Sequence, residues 1–136
     1  MSDMFSTLQI SGAGMRVQNE RVRVIAQNIA NADTAPTKAG DKPYTRQIIS
    51  FKERLDKAAG ERLVRVDDIT TDKSEYQIKY MPGHPAADKD GYVQMPNVNT
   101  LVETMDMREA SKTYEANLGM FTQSRDMMSR TIDLIR

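Results

Sequence analysis

The last 37 residues are predicted to form one long amphipathic helix, and this segment limits the fold more than any other feature. From Thr100 to Arg136 there is no proline and a single glycine, Gly119. Apolar residues recur there at alternating steps of four and three, which is the spacing of a helix that packs along another helix. This stripe consists of Met107, Ser111, Tyr114, Leu118, Phe121, Arg125, Met128, Ile132 and Ile135, with Ser111 and Arg125 as polar exceptions. Thr100 and Glu103 have the spacing of a capping box, which predicts where the helix begins.

A second long helix is predicted from about Asp3 to Ala30. Its apolar residues include a line spaced by seven and two residues on the adjoining line of the same heptad frame. The line is Leu8, Met15, Val22 and Ile29, with Met4 and Ile25 beside it. Ser11 and Gln18 interrupt it, and two glycines each weaken the helix by about 1 kcal/mol relative to alanine. We therefore expect this helix to depend on packing partners. It is predicted to end at Asn28 to Asn31, because asparagine accepts a C-terminal turn.

The residues between the two helices predict a small β-rich segment. Pro36 and Pro43 disfavour a continued helix, so residues 32–43 are predicted to be a loop or an extended arm. Branched and aromatic residues with partial alternation predict strands at 44–51, 62–71, 76–80 and 92–95. The polar stretch 52–60 is predicted to be a short helix or a mobile loop. Turns are predicted at 81–85 and 88–91.

These elements predict a mainly α fold with a small β-rich middle segment, in which the two long terminal helices pack as an antiparallel coiled-coil-like pair. The predicted organisation is an N-terminal helix at 1–31, an arm and β-rich segment at 32–98, and a C-terminal helix at 99–136. A helix of about 36 residues is ~54 Å long, whereas a compact domain of this size has a diameter of ~37 Å. Other subunits are therefore predicted to cover the apolar surface that remains. Arg125, within the stripe, either meets an acidic partner or extends to solvent.

The composition argues against nucleic-acid binding and against most metal-binding and catalytic sites. The chain has 19 basic and 19 acidic residues, so it lacks the basic excess typical of nucleic-acid binding. It has no cysteine and one histidine, His84, which is predicted to be a turn or contact residue. Residues 88–91 favour a hairpin turn over a calcium loop, since the other ligands of such a loop are missing. We predict no catalytic, cofactor or metal site and no small-molecule substrate. No cleaved signal or membrane-spanning segment is predicted.

Several motifs resemble one family, the flagellar axial proteins that build the rod and hook. The general motif is Ser11-Gly12, then Arg-Val-Ile-Ala-Gln-Asn-Ile-Ala-Asn at 23–31, which includes Asn28 and Asn31, and Thr34. More specific to the proximal-rod branch are Pro43 to Gln47, Phe51, the run Tyr80 to Asp88 with Pro82-Gly83-His84-Pro85, Gly91-Tyr92-Val93, and Pro96-Asn97-Val98-Asn99. Glu103 to Met107 and Tyr114 to Asn117 are similar to the start of that family's last helix. The resemblance covers nearly the whole chain.

This resemblance implies a structural subunit of the proximal rod of the flagellar basal body, the drive shaft that crosses the periplasm. It implies export through the flagellar type III apparatus without a cleaved signal, and terminal helices that form the inner layer of the axial tube. Those helices are expected to be disordered in the free monomer and to fold on assembly. The implied partners are copies of the same chain, other proximal and distal rod proteins, and the ring and export-gate junction proteins.

Two alternatives remain open at the sequence level. A coiled-coil adaptor or secretion-system substrate would form a stable oligomer without rod partners. A sibling proximal rod protein would share the general motif, and Pro82-Gly83-His84-Pro85 is the feature that argues against it. A hydrolase that uses Asp67, Asp68 or His84 is remote, because no nucleophile or base stands at a diagnostic spacing from them.

Overall fold

Two long helices flank a β-rich middle segment in the computed structural model of this chain, which describes residues 2–57 and 60–135. The helices are α1 (Ser2–Ala30) and α2 (Thr100–Ile135). The strands are β1 (Gln47–Asp56), β2 (Glu61–Thr71), β3 (Gln77–Tyr80) and β4 (Tyr92–Met95), and they form two two-stranded sheets, β1–β2 and β3–β4. The predicted fold class is therefore confirmed.

The chain divides into two compact units, and each takes pieces of both helices and of the middle segment. The first unit consists of Met1–Val22, Ile49–Asp68 and Arg108–Arg136. The second consists of Arg23–Ile48 and Ile69–Met107. The predicted division of the chain by role, with an inner axial core at 1–31 and 99–136, stays a prediction.

In the first unit, α1 and α2 pack against each other in antiparallel orientation. A Cβ atom built on Gly14 would come within 2.8 Å of the Asn117 side chain, so the two helices are close there. Seven residues further along α1, the Arg21 guanidinium lies 3.5 Å from Glu109, which is eight residues back along α2. The antiparallel helix pair predicted from the sequence is therefore confirmed.

The β1–β2 hairpin carries charged residues that face one another across the strands. Lys52 lies 4.0 Å from Asp67, and Arg65 lies 2.8 Å from Asp56. Opposite charges on facing positions stabilise an antiparallel pair of strands. The prediction of a short helix or mobile loop at 52–60 is wrong for 52–56, which belong to β1, because the polar run has its charge partners on β2. Residues 58–59 of that prediction lie outside the described residues.

The second unit contains the β3–β4 ribbon and a small apolar core. The strands pair antiparallel, with Ile78 opposite Gln94 and Tyr80 opposite Tyr92. The core comprises Ala86, Val93 and Met95, with Ala35, Met81 and Ala87 packed against it. Gly91 has a φ of 84°, and an added Cβ there would lie 2.9 Å from the Tyr80 ring, so glycine is required in this turn. The strand predictions at 76–80 and 92–95 and the turn at 88–91 are confirmed.

The start of α2 differs from the sequence prediction. The Asn99 side-chain oxygen accepts hydrogen bonds from the backbone N–H groups of Leu101 at 3.1 Å and Val102 at 3.4 Å. Asn99 is therefore the N-cap. The predicted capping box of Thr100 and Glu103 is wrong, because the Glu103 carboxylate turns inward and binds other residues of the second unit.

Candidate assembly interface

The two helices of the first unit meet through small and polar side chains. On α2 the inward-facing residues are Ala110, Asn117 and Ser124, which are spaced by seven. On α1 Gly14 lies against Asn117, and Ser11, about one turn before it, is buried. We call this contact the seam. Small residues let the backbones come close, but they bury little apolar area, so the seam stabilises the pair only weakly.

The predicted apolar stripe of α2 lies on a different face from the seam. In a heptad frame its residues are centred roughly 80° around the helix from the seam residues. Leu118, Ile132 and Ile135 are 42%, 51% and 76% exposed. Tyr114 and Arg125 are also exposed, and Phe121 and Met128 are half-buried. The single chain thus leaves most of this stripe uncovered.

The predicted line on α1 is more covered than the stripe on α2. Ile25 is buried, whereas four residues of the line are half-buried, namely Leu8, Met15, Val22 and Ile29. The residues that α1 buries most deeply in the first unit are Ser11, Ala13 and Val17. From the sequence, Ser11 is named only as an interruption of the apolar line and in the family motif, and Ala13 and Val17 are not named, because neither lies on that line.

A second apolar line runs along α2 on the other side of the seam. It consists of Met120, Met127 and Leu134, which are spaced by seven and exposed. This line was not among the sequence predictions, although its heptad spacing is a usable signal. The distal part of α2 therefore presents apolar residues on both flanks of its contact with α1.

Arg125 has a local partner. Its guanidinium lies 3.2 Å from the carboxylate of the adjacent Asp126, and both side chains are more than half exposed. Exposed pairs of this kind contribute less than about 1 kcal/mol. The guanidinium therefore remains available to a stronger acidic partner, and the predicted contact across an interface stays a prediction.

A buried polar network occupies the second unit and joins the end of α1 to the start of α2. Glu103, which is 1% exposed, accepts hydrogen bonds from Arg46 Nε at 2.5 Å and from Asn28 Nδ2 at 3.1 Å. The Arg46 guanidinium also lies 3.3 Å from Asp72. Asn28 is buried as well, and its side chain holds both backbone groups of Gln47, the first residue of β1. We call Asn28, Arg46, Asp72 and Glu103 the Glu103 network.

The charges of this network shift the pKa values of its members. A backbone N–H from Ser74 and the Arg46 guanidinium lower the pKa of Asp72. Burial alone would lower the pKa of Arg46, but the hydrogen bond and negative charge of Glu103 raise it. Burial and the nearby Glu103 also raise the pKa of Tyr44, whose hydroxyl donates to Asn28. These shifts favour the charged forms of Arg46 and Asp72 at neutral pH.

The family motifs of the middle segment are used in the backbone geometry of the second unit. Asn97 accepts a hydrogen bond from the Arg46 N–H at 2.8 Å and donates to the backbone carbonyls of Asp72 and Ser74. In the loop Pro82-Gly83-His84-Pro85, His84 Nδ1 accepts the Ala86 N–H at 3.1 Å. Pro96 is buried beside Asn97, and Tyr92 stacks edge-on against Tyr80. These residues fix turns and contacts between segments within the second unit.

Within residues 2–57 and 60–135, no group of three or more His, Cys, Asp or Glu side chains could hold a metal ion. Neither helix, over its described residues, is long and apolar enough to cross a membrane.

An antiparallel helix pair with an exposed apolar stripe defines a structural subunit of the kind that packs with other subunits. Residues 89–134 match the family model described as "Flagellar basal body rod FlgEFG protein C-terminal". Proteins named "Flagellar basal-body rod protein FlgC" are similar along their whole length. That of Agrobacterium fabrum is 41% identical over 136 residues, which is 100% of this chain and 98% of that protein.

The FlgC protein of Borreliella burgdorferi is 37% identical, over 98% of both chains. That of Escherichia coli O6:H1 is 32% identical, over 96% of this chain and 97% of its own. The chain belongs to the FlgC family of flagellar basal-body rod proteins. The resemblance found in the sequence motifs is thereby confirmed.

Proposed function

We infer that this protein is a structural subunit of the proximal rod of the bacterial flagellar basal body, where it assembles into the drive shaft that transmits motor torque across the periplasm. The similarity to FlgC proteins along the full chain carries this inference. The exposed stripe on α2 supports it, since a large exposed apolar surface marks a site of protein–protein contact.

The proposed mechanism is packing of the helices between subunits. The seam joins α1 and α2 through small residues, and the apolar stripe stays free for neighbours. Burying one leucine or isoleucine side chain stabilises a contact by about 1.5–3 kcal/mol. Several such residues per subunit therefore give a far stronger contact between chains than the seam gives within one. The inner layer of the rod is proposed to form in this way.

The proposed partners are copies of the same chain, other proximal and distal rod proteins, and the ring and export-gate junction proteins. We propose a purely structural role without catalysis. Export through the flagellar type III apparatus without cleavage of a signal is also part of the proposal, and N-terminal sequencing of the protein from purified basal bodies tests it. A processed N-terminus would contradict that part.

Electron microscopy of basal bodies from a strain that lacks the gene tests the main proposal. The strain is expected to be non-motile and to have no complete rod. Intact rods and normal swimming would show that the protein is not a rod subunit.

A matched pair of variants tests the stripe itself. Leu118→Gln with Ile132→Gln removes apolar surface that the single chain leaves exposed, so the fold of the subunit is expected to survive while rods fail to assemble. Lys112→Gln changes an exposed polar residue of the same helix and is expected to assemble normally. Rods of normal length in the Leu118/Ile132 double variant would contradict a role of the stripe in packing.

The weak seam leads to a further expectation for the isolated chain. The two helices contain 29 and 36 residues. We propose that parts of them fold only on assembly, as the family resemblance implies. Circular dichroism of the dilute protein is expected to give less helix than these lengths require. A fully helical monomer at low concentration would contradict assembly-dependent folding.

A further inference from the structure

A crevice of about 230 Å³ lies in the first unit between α1 and β2. Its inner residues are apolar and buried, namely Ala13, Val17 and Leu63. Val64 also lines the crevice and is partly exposed. Three charged residues line the same crevice, namely Arg16, Glu20 and Arg65, so it offers an outside segment both apolar surface and charge.

Arg16 lines the same crevice and is exposed. Over residues 2–57 and 60–135 it forms neither an ion pair nor a side-chain hydrogen bond. An unpaired guanidinium beside apolar crevice residues favours binding of a segment that offers a carboxylate next to an apolar side chain.

The last turn of α2 has this chemistry. Leu134 is 88% exposed, and Ile135 is also largely exposed. Asp133, which precedes them, is exposed and has no ion pair or side-chain hydrogen bond within the described part of the chain. The segment Asp133-Leu134-Ile135 thus presents an anion and two apolar side chains that the single chain does not use.

The end of α2 does not reach the crevice of its own chain. Asn117 faces Gly14, two residues before Arg16. Asp133 lies sixteen residues beyond Asn117, and at 1.5 Å per residue this places it about 24 Å further along the helix axis. No side chain spans that distance, so the segment can fill only the crevice of another molecule.

We propose that Asp133-Leu134-Ile135 of one copy docks into the α1–β2 crevice of a second copy, with Asp133 paired to Arg16 and Leu134 against Val17 and Leu63. The proposal rests on the proposed function, since it needs copies of this chain to pack together. The two contacting surfaces are different, so the contact is heterologous and repeats from copy to copy, as a ring or as an open helix. Such a contact suits a helical assembly and excludes a closed twofold dimer.

Cysteine crosslinking in assembled basal bodies tests this contact, and the chain contains no native cysteine that would interfere. Val64→Cys combined with Leu134→Cys is expected to give a ladder of dimers, trimers and larger species on a non-reducing gel after mild oxidation. The control, Asp126→Cys with Leu134→Cys, is expected to give no ladder, because Asp126 is exposed on α2 and does not line the crevice. A band that stops at the dimer would indicate a twofold contact and would overturn the proposal.

Charge reversal tests the ion pair in the same background. Arg16→Glu and Asp133→Arg are each expected to reduce the ladder roughly tenfold or more, because like charges then face each other across the contact. Together they restore the opposite charges and are expected to restore the ladder. Absence of the ladder in the crosslinking pair, or no rescue in the double reversal, would overturn the proposal.

If rods form without the gene, the proposed function itself fails. If rods need the gene and no ladder forms, only the crevice contact fails.

Discussion

Replacement of Arg46 by methionine is expected to destabilise the second unit far more than its position near the surface indicates. The Arg46 side chain is 24% exposed, but its partner Glu103 is 1% exposed. The variant leaves the Glu103 carboxylate buried, with Asn28 as its remaining side-chain donor at 3.1 Å. Breaking a buried ion pair on one side costs about 3–5 kcal/mol. Water can enter beside the partly exposed Arg46 position, so we expect the lower end, about 3 kcal/mol.

Urea unfolding followed by tyrosine fluorescence measures this loss. The chain has no tryptophan and five tyrosines, and four of them lie in the second unit, namely Tyr44, Tyr76, Tyr80 and Tyr92. With a urea dependence of about 1.5 kcal/mol per molar, the expected loss lowers the midpoint by about 2 M.

Two further variants separate the buried charge from a general effect of removing arginine. Arg62→Met removes an arginine whose pair with Glu53 is exposed on both sides. It is expected to cost less than about 1 kcal/mol. Arg46→Met with Glu103→Met removes both charges and is expected to regain at least half of the loss, because no unpaired carboxylate then remains buried. A cost below about 1 kcal/mol for Arg46→Met would refute the reasoning and would indicate that the Glu103 network is not formed in the isolated protein.

Three smaller predictions concern single positions. Asn99→Ala should lower the unfolding free energy by about 1 kcal/mol, and Thr100→Ala by much less; equal effects in urea titrations would contradict the assigned cap. Gly14→Ala should raise the unfolding free energy only slightly in wild type, because the new methyl group displaces Asn117. In an Asn117→Ala background the same change should raise it by about 1 kcal/mol, measured by circular dichroism. A full gain in both backgrounds would show that the helices are further apart. The folded state lowers the pKa of Asp72, so its contribution to stability is present above the unfolded pKa and lost as pH falls through the folded one. Asp72→Asn should therefore be less stable than wild type at pH 7 and equal to it in acid, and a pH-independent difference would contradict this.

The helices could be predicted from sequence because their apolar repeats and lack of proline are local signals. Strand β1 was only partly predictable. Lys52, Glu53 and Arg54 look like a solvated polar run, and their strand geometry depends on partners in β2 that no local pattern shows. Pairing across the hairpin outweighed the local preference of these residues.

The Glu103 network shows a second limit of sequence reasoning. The spacing from Thr100 to Glu103 satisfies the rule for a capping box. Glu103 nevertheless binds Arg46, 57 residues earlier, and Asn28, 75 residues earlier. Asn28 was singled out in the sequence through the family motif and the predicted helix end, and its role became clear when the structure placed it beside Gln47 and Glu103.

The stripe and the seam illustrate the same limit within one helix. The spacing predicted an apolar line on α2, and the structure leaves most of that line exposed. The face that α2 turns toward α1 is instead marked by Ala110, Asn117 and Ser124. Their shared property is small or modest size, and a hydrophobicity pattern does not detect it.

The seam and the stripe therefore tolerate different kinds of substitution. At Gly14 and Ala110 the limiting property is volume, so exchange for an apolar residue larger than alanine should separate the helices. At Leu118 and Ile132 the limiting property is polarity, so methionine, valine or phenylalanine should be accepted and any charge should not. A library that randomises both sets and selects for swimming would be expected to return narrow size limits at the first pair of positions and broad apolar variety at the second.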